Sequence, residues 1–223
     1  MIDDTELAFP EVIRRRRPRA WNGLHLAGKR AVDLIGALIL IVFLSPVLLA
    51  AALLVRWSSP GPVFFRQQRW GRAGSQFTCW KFRTMHAKQD RFVDPAVLRE
   101  LQGQGILLKM QKDPRVTRVG AWLRQTSIDE LPNLWNVVRG DISLVGPRPE
   151  IPEVMALYGS FRDEYLSVKP GVTCLSKCTG RDRLTKRETI EYDLDYIRQR
   201  SFRRDLQILW RTFRSVVMRR DVF

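Results

Sequence analysis

The charge-free run of 22 residues from Leu34 to Val55, LIGALILIVFLSPVLLAAALLV, constrains this chain more than any other stretch. At about 1.5 Å per residue a helix of this length reaches ~33 Å, enough to cross a hydrocarbon core of about 30 Å. Ser45-Pro46 falls in its middle, and a proline there removes a backbone hydrogen bond at a cost of about 3 kcal/mol. Two arrangements follow: a kinked spanning helix, or a re-entrant helix-break-helix dipping into one leaflet, with Ser45 satisfying the freed carbonyl. Basic residues flank the run on both sides, Arg14 to Arg17, Arg19, Lys29 and Arg30 before it and Arg56, Arg66, Arg69 and Arg72 after it. Positive flanks stay cytoplasmic, so this symmetry selects no spanning orientation and suits a hairpin with both ends on one side. The run is too long for a secretory h-region of about 7–15 residues, and more leucine follows Ala50 to Ala52 instead of a polar start. It is read as retained.

A second constraint lies in TSIDELPNLWNVVRGDISLVGPRPE, Thr126 to Glu150. Pro132 is tolerated only in the first turn of a helix, so a helix through LPNLWNVV begins close to Asp129 and Glu130. The unpaired N–H groups and dipole of that terminus favour negative charge by about 0.3–1 kcal/mol and also attract phosphate. Consecutive helical residues point about 100° apart, so the two acids take different roles. One can face a reacting centre while the other holds a metal ion or orients its neighbour. The same residues fit a plain capping box, Ser127 with Glu130.

One catalytic domain suits 223 residues, and 45% hydrophobic residues supply both a core and a membrane face. A net charge of +15 calls for an anionic partner. The basic residues are spread along the chain, not gathered on one recognition helix, which points to lipid headgroups or phosphorylated substrates and away from nucleic acid. Cys79, Cys174 and Cys178 suit reduced thiols, and two histidines without paired C-x-x-C spacing argue against zinc. Cys174 and Cys178 are read as packing residues. The sequence predicts strands over Val63 to Arg69 and Gln76 to Phe82 in a hairpin, helices from Asp94 to Gly103 and around Val116 to Leu123, and a Thr185/Glu188 capping box ahead of Glu191 to Arg200. Leu206, Leu209, Trp210, Phe213, Val216 and Val217 fall at helical spacing among arginines, either an amphipathic helix on a membrane or a core-facing helix with a basic outer side.

Several motifs in order resemble the bacterial sugar transferase family, the monotopic polyprenol-phosphate phosphoglycosyl transferases. They are Lys29-Arg30 with Asp33, the apolar run broken at Ser45-Pro46, Lys81-Phe82-Arg83-Thr84-Met85 and Asp113-Pro114-Arg115. They continue with Leu123-Arg124, Ser127 to Pro132, Gly146-Pro147-Arg148-Pro149, Lys169-Pro170-Gly171 and Gly180-Arg181. The resemblance implies a mainly α fold with a small β-hairpin: a basic segment over 1–28, a re-entrant anchor over 29–57, and a cytosolic catalytic domain over 58–223 with C-terminal interfacial helices. With only about thirty residues before the apolar run, the chain looks like the minimal form. It implies transfer of a sugar 1-phosphate from a nucleoside diphosphate sugar, usually a UDP-sugar, to polyprenol (undecaprenyl) phosphate. This would be the first membrane step of glycan assembly, at the cytoplasmic face of a bacterial inner membrane.

Asp129 would be the nucleophile, forming an aspartyl-phosphosugar, with Glu130 orienting it and both helping to place Mg²⁺. Lys81, Arg83, Thr84, Arg124, Arg148 and Arg181 would bind substrate phosphates, arginine through its planar donor fork. Arg30 and Asp33 would pair at the membrane boundary, and Asp141 and Glu150 could join the metal site. Membrane lipids, a homodimer and downstream glycosyltransferases are the further partners implied. Family members commonly carry glycine and glutamine where Cys174 and Lys177 stand, a departure that bears on sugar choice more than on the reaction. A membrane-anchored basic binding protein and a lipid diphosphate phosphohydrolase remain alternatives, separable by turnover and by phosphate release.

Overall fold

A computed structural model describes residues 23–87, 115–180 and 184–218. Arg14 to Arg19, the helix expected from Asp94 to Gly103, Asp113-Pro114 and Arg181 lie outside these residues.

Helix α1, Gly23–Ser58, runs for 36 residues. The expected break does not end it, because helical backbone continues through Ser45-Pro46. Ser45 Oγ donates to the carbonyl of Val42 at 2.8 Å. Val42 lies four residues before Pro46, so the hydroxyl serves the acceptor that proline leaves without an N–H. Only Asp33, Ala37, Ala51 and Val55 are buried. With the partly buried Ile41 and Leu48 they form one stripe along both halves of the helix. The first half joins the main core with Val137 and Leu144, and the second packs with Phe82 and Leu123. Ile35, Ile39, Val42, Phe43 and Leu49 remain exposed. The most apolar window has mean hydropathy 3.0 yet is only 11% buried, the opposite of a soluble core helix.

Asp33 and its neighbours fasten α1 to the body. Lys29 Nζ, Ser143 Oγ and the Leu144 N–H all donate to the Asp33 carboxylate, at 3.1, 2.7 and 3.0 Å. The expected Arg30–Asp33 pair is replaced by Lys29–Asp33, because a spacing of four sets the lysine over the acid and leaves Arg30 directed elsewhere. Arg30 donates instead to the carbonyls of Val137 and Val138. These belong to α3, Leu134–Arg139, whose last carbonyls lack helical donors.

Strands β1, Phe64–Trp70, and β2, Gln76–Phe82, pair antiparallel with Phe64 opposite Phe82, one residue later at β1 than expected. Helix α2, Arg118–Thr126, follows. Gly120 lets it sit on the preceding segment, since a Cβ there would lie 2.0 Å from the Thr84 carbonyl oxygen. A 3₁₀ turn, Ile128–Asn133, then leads into α3. The short strands β3, Ser143–Val145, and β4, Gly171–Thr173, pair in parallel, an element the sequence does not predict. At Gly171, the first residue of β4, the backbones approach so closely that a Cβ would stand 2.1 Å from the Gly146 nitrogen. Between β3 and β4 lie α4, Pro152–Met155, and α5, Arg162–Leu166.

The chain closes with α6, Leu175–Thr179, α7, Lys186–Gln199, and α8, Phe202–Val217. The Thr185/Glu188 capping box forms with both of its bonds. Helix α8 buries Asp205 and Ile208 but turns Phe202, Leu206, Trp210 and Phe213 outward, so most of its large apolar residues face away from the body. The described residues are thus mainly helical around a small antiparallel hairpin.

Candidate active site

The acids at the start of the 3₁₀ turn owe their position to a sharp reversal. Ser127 ends α2 in the left-handed region, at φ 57 and ψ 15, and its N–H bonds to the Arg124 carbonyl at 3.2 Å. Its side chain makes no capping bond. The capping box that Ser127 and Glu130 suggest does not form, because this backbone turns the serine away and Glu130 reaches other partners. Asp129 and Glu130 do occupy the first turn, and Pro132 precedes the α-helical residues as its missing N–H requires.

Two asparagines carry this turn onto the hairpin. The Asn133 side-chain oxygen accepts from the Trp80 N–H and from the Cys79 thiol, both at 3.1 Å. Asn136 Nδ2 donates to the Thr78 carbonyl at 2.8 Å and to Asp141 at 2.9 Å. Strand β2 is thereby held so that Lys81 Nζ meets Glu130 Oε1 at 2.9 Å. Lys177, from α6, takes the other oxygen, Oε2. Although burial alone would raise it, the Lys177 and Lys81 charges hold Glu130 well below the usual carboxylate range.

Asp129 differs in every respect. No side chain among the described residues hydrogen-bonds or ion-pairs with its carboxylate. Burial, and then the charge of Glu130, raise it to about 6 against the opposing pull of Lys81, Lys177 and Arg124. One acid is pinned and ionised, and the other is unbonded and close to neutral pH.

Arg148, Lys81, Glu130 and Lys177 line one cleft with Arg69, Cys174 and Val172. The segment that departs from the family pattern therefore lines the cleft. Cys174 itself is buried beside Ser176 and its thiol is pushed up to about 11, chiefly by burial, so it is an inert packing group. Arg124 Nε donates to Thr84 Oγ1 at 2.9 Å, which makes Thr84 a support for Arg124. Arg83 does not join them. It is buried, and its guanidinium donates to the carbonyls of Val55, Ser59 and Pro60 at 3.2, 2.6 and 3.0 Å. In this position it closes the end of α1, where helical carbonyls lack donors.

No sequence signal points to what lies beneath Arg148. Its backbone N–H donates to Asp193 at 3.2 Å, and its carbonyl accepts from the Tyr165 hydroxyl. Tyr158 bridges Asp193 and Glu150, and Lys186 pairs with Glu150. Glu150, Lys186 and Asp193 are all buried, and burial, followed by the Glu150 charge, raises Asp193 to about 7. Glu150 therefore meets Lys186, while Asp141 meets Asn136 and Arg139, and neither lines the cleft with Glu130.

Among the described residues no cluster of three or more His, Cys, Asp or Glu could hold a metal ion. A divalent cation at the acid pair would draw on at most two carboxylates, with substrate oxygens and water for the remainder. Mg²⁺ accepts such a donor set, and the Glu130 charge that raises Asp129 is the repulsion a cation would relieve.

The family model for bacterial sugar transferases matches residues 24–219. The exopolysaccharide production protein ExoY of Sinorhizobium fredii is 37% identical over 201 residues, covering 87% of this chain and 88% of that protein. The UDP-glucose:undecaprenyl-phosphate glucose-1-phosphate transferase of Escherichia coli is 40% identical over 200 residues, 86% of this chain but 40% of its own length. A protein of the same name from Caulobacter vibrioides is 41% identical over 197 residues, 85% of this chain and 69% of that one.

Proposed function

The chain belongs to the bacterial sugar transferase family, and from that premise we propose that it moves a sugar 1-phosphate from a UDP-sugar to undecaprenyl phosphate. UMP and undecaprenyl diphosphate sugar would be the products. It is a phosphoglycosyl transferase, consistent with relatives named UDP-glucose:undecaprenyl-phosphate glucose-1-phosphate transferase.

The observation that carries the mechanism is the division of labour in the acid pair. Asp129, with no bonded side-chain partner among the described residues, attacks the sugar-bearing phosphorus. A bond forms between its carboxylate oxygen and that phosphorus while the bond to the bridging oxygen breaks, and the pair of electrons leaves with UMP. An oxygen of undecaprenyl phosphate then attacks the same phosphorus, and the Asp129 carboxylate is released unchanged. Each step develops charge on equatorial oxygens, which cations stabilise. Lys81 and Lys177 are fixed by Glu130 at the cleft, with Arg148 beside them, and Arg124 is set by Thr84. Glu130 orients these lysines and, with Asp129, would hold Mg²⁺. The ion would neutralise diphosphate oxygens.

The membrane placement we propose is supported by α1. Its buried stripe meets the body in both halves, from Asp33 to Val55. A helix whose two ends touch one soluble body suits an anchor that enters and leaves on one face better than one that crosses. Together with the outward apolar residues of α8, this supports a monotopic enzyme whose cleft opens at the cytoplasmic surface of the inner membrane. There a soluble nucleotide sugar and a lipid phosphate can meet.

The test is UMP release by the purified protein in nanodiscs with Mg²⁺ and a panel of UDP-sugars. Release that requires undecaprenyl phosphate supports the transferase and names the sugar. Release of inorganic phosphate instead would replace it with a hydrolase.

A further inference from the structure

A second cleft shares no lining residue with the one that holds Glu130. It lies between the start of α1, the hairpin turn and the segment before β4, and Lys29, Arg30, Asp33, Arg72, Lys169 and Arg200 line it. Five cations face one acid, and that acid is fully engaged by Lys29, Ser143 and Leu144. Lys29 also pairs with Asp205 at 2.8 Å, and Arg30 is spent on the carbonyls of α3. Lys169 and Arg72 are different. Neither has a carboxylate within ion-pair distance among the described residues.

Lys169 is half-buried, and a Cβ on Gly140 would lie 3.6 Å from its ammonium and 3.4 Å from the Arg30 guanidinium. Burial, then the Arg30 charge, push its pKa down; Asp33 opposes them, and Arg72 adds a smaller push that Asp141 opposes. A half-buried ammonium crowded by guanidinium groups is costly unless an anion completes the site.

The cleft's position identifies the anion. Leu26 lines it, and His25 stacks on Phe202 nearby, at 6.4 Å between ring centroids. Leu24 and Phe202 are exposed, and the charge-free part of α1 begins at Leu34, directly after Asp33. Cations gathered at the edge of an apolar segment meet headgroup phosphates. We propose that this cleft is a binding site for the phosphate of an anionic membrane lipid, separate from the acceptor lipid at Asp129.

The site also has a route to the chemistry. Ser143 and Val145 of β3 line this cleft and the strand runs on to Arg148, while Lys169 leads through Pro170 into Gly171 of the catalytic cleft. A lipid phosphate held here would fix the two strands between the clefts. The proposal rests on the membrane association of the chain but not on its transferase activity, so its test reads binding alone.

The full chain is solubilised in detergent with equal amounts of phosphatidylglycerol and phosphatidylcholine, and retained lipid is read by native mass spectrometry. Wild type should keep phosphatidylglycerol preferentially, and Lys169→Met with Arg72→Met should lower that preference about tenfold or more. Arg118→Gln with Arg139→Gln removes the same charge elsewhere and should leave it intact. In the absence of anionic lipid the Lys169/Arg72 variant should melt no lower than wild type, because it loses mutually repelling cations. An unchanged preference in that variant, or an equal loss in the control, overturns the site. Stabilisation of wild type by inorganic phosphate equal to that by phosphatidylglycerol overturns the lipid as its occupant.

Discussion

Two clusters in this protein are built from the same parts, a pair of carboxylates and lysine. At Asp129 and Glu130, two lysines hold one acid at a cleft and the other stands near pH 6 without a bonded side-chain partner among the described residues. At Glu150 and Asp193, Lys186 serves one acid, Tyr158 serves both, and Asp193 stands near 7. A shifted pKa marks both and so identifies neither. The difference is access and surplus charge. The first cluster opens to the surface beside Arg148, whereas Asp193 is sealed at 0% exposure and its carboxylate receives the Arg148 backbone. In the mechanism we propose, the first cluster performs the chemistry, and the second holds the loop that serves it.

Replacing the two raised acids should separate them most strongly. Asp129→Asn keeps the size and loses the nucleophile, so UMP release should fall by about 10³-fold or more with the melting temperature little changed. Asp193→Asn keeps the acceptor for the Arg148 N–H and should retain turnover within about tenfold, since it displaces a support and not a reacting atom. A folded Asp193→Asn protein as inactive as Asp129→Asn would erase the distinction between the clusters.

The lysines give the next largest contrast. Lys186→Met leaves Glu150 and Asp193 buried without a cation, a change that typically costs about 3–5 kcal/mol. At roughly 2–4 °C per kcal/mol for a domain of this size, thermal melts should show a loss of about 10 °C. Lys81→Met should instead reduce activity with a loss of only about 1 kcal/mol, because its pair with Glu130 keeps some contact with solvent, at 23% and 20% side-chain exposure. Equal melting temperatures for the two variants would mean that burial does not divide the clusters as described.

What the sequence revealed of this fold follows from the range of each signal. The hairpin, Ser45 behind Pro46 and the Thr185/Glu188 cap depend on residues a few positions apart, and all appear in the structure. The acid pair was legible because Pro132 limits where a helix can begin. Strands β3 and β4 were not, since three residues show no period and their pairing joins Ser143 to Gly171. Asn133 and Asn136, polar positions in LPNLWNVV, were the only trace of the stitching to β2. Arg83 sits beside a strand and reads as a surface cation until α1 folds back over it. Lys186 and Asp193 look like the solvated face of an ordinary amphipathic helix, and only the loop packed on them shows otherwise. The Ser127 capping box misled because local spacing cannot foresee the left-handed serine or the two lysines that claim Glu130.

The smallest predicted effect concerns Lys177, a cation whose charge acts on both acids. As the proposed nucleophile Asp129 would have to be ionised to attack, and its pKa is raised to about 6. The rate should therefore climb about tenfold per pH unit below 6 and level off above it. Lys177 is among the cations that lower the Asp129 pKa, and it holds Glu130 Oε2. Replacing it with the neutral Lys177→Gln removes a charge that favours the Asp129 carboxylate, so the acid limb should move to higher pH. Glutamine can still donate one bond to Glu130, which keeps the geometry while the charge is lost. A pH–rate profile of kcat/KM displaced upward, with a modest loss at its plateau, is the expected result. A uniform loss with the limb unmoved would make Lys177 a substrate contact whose charge does not reach Asp129.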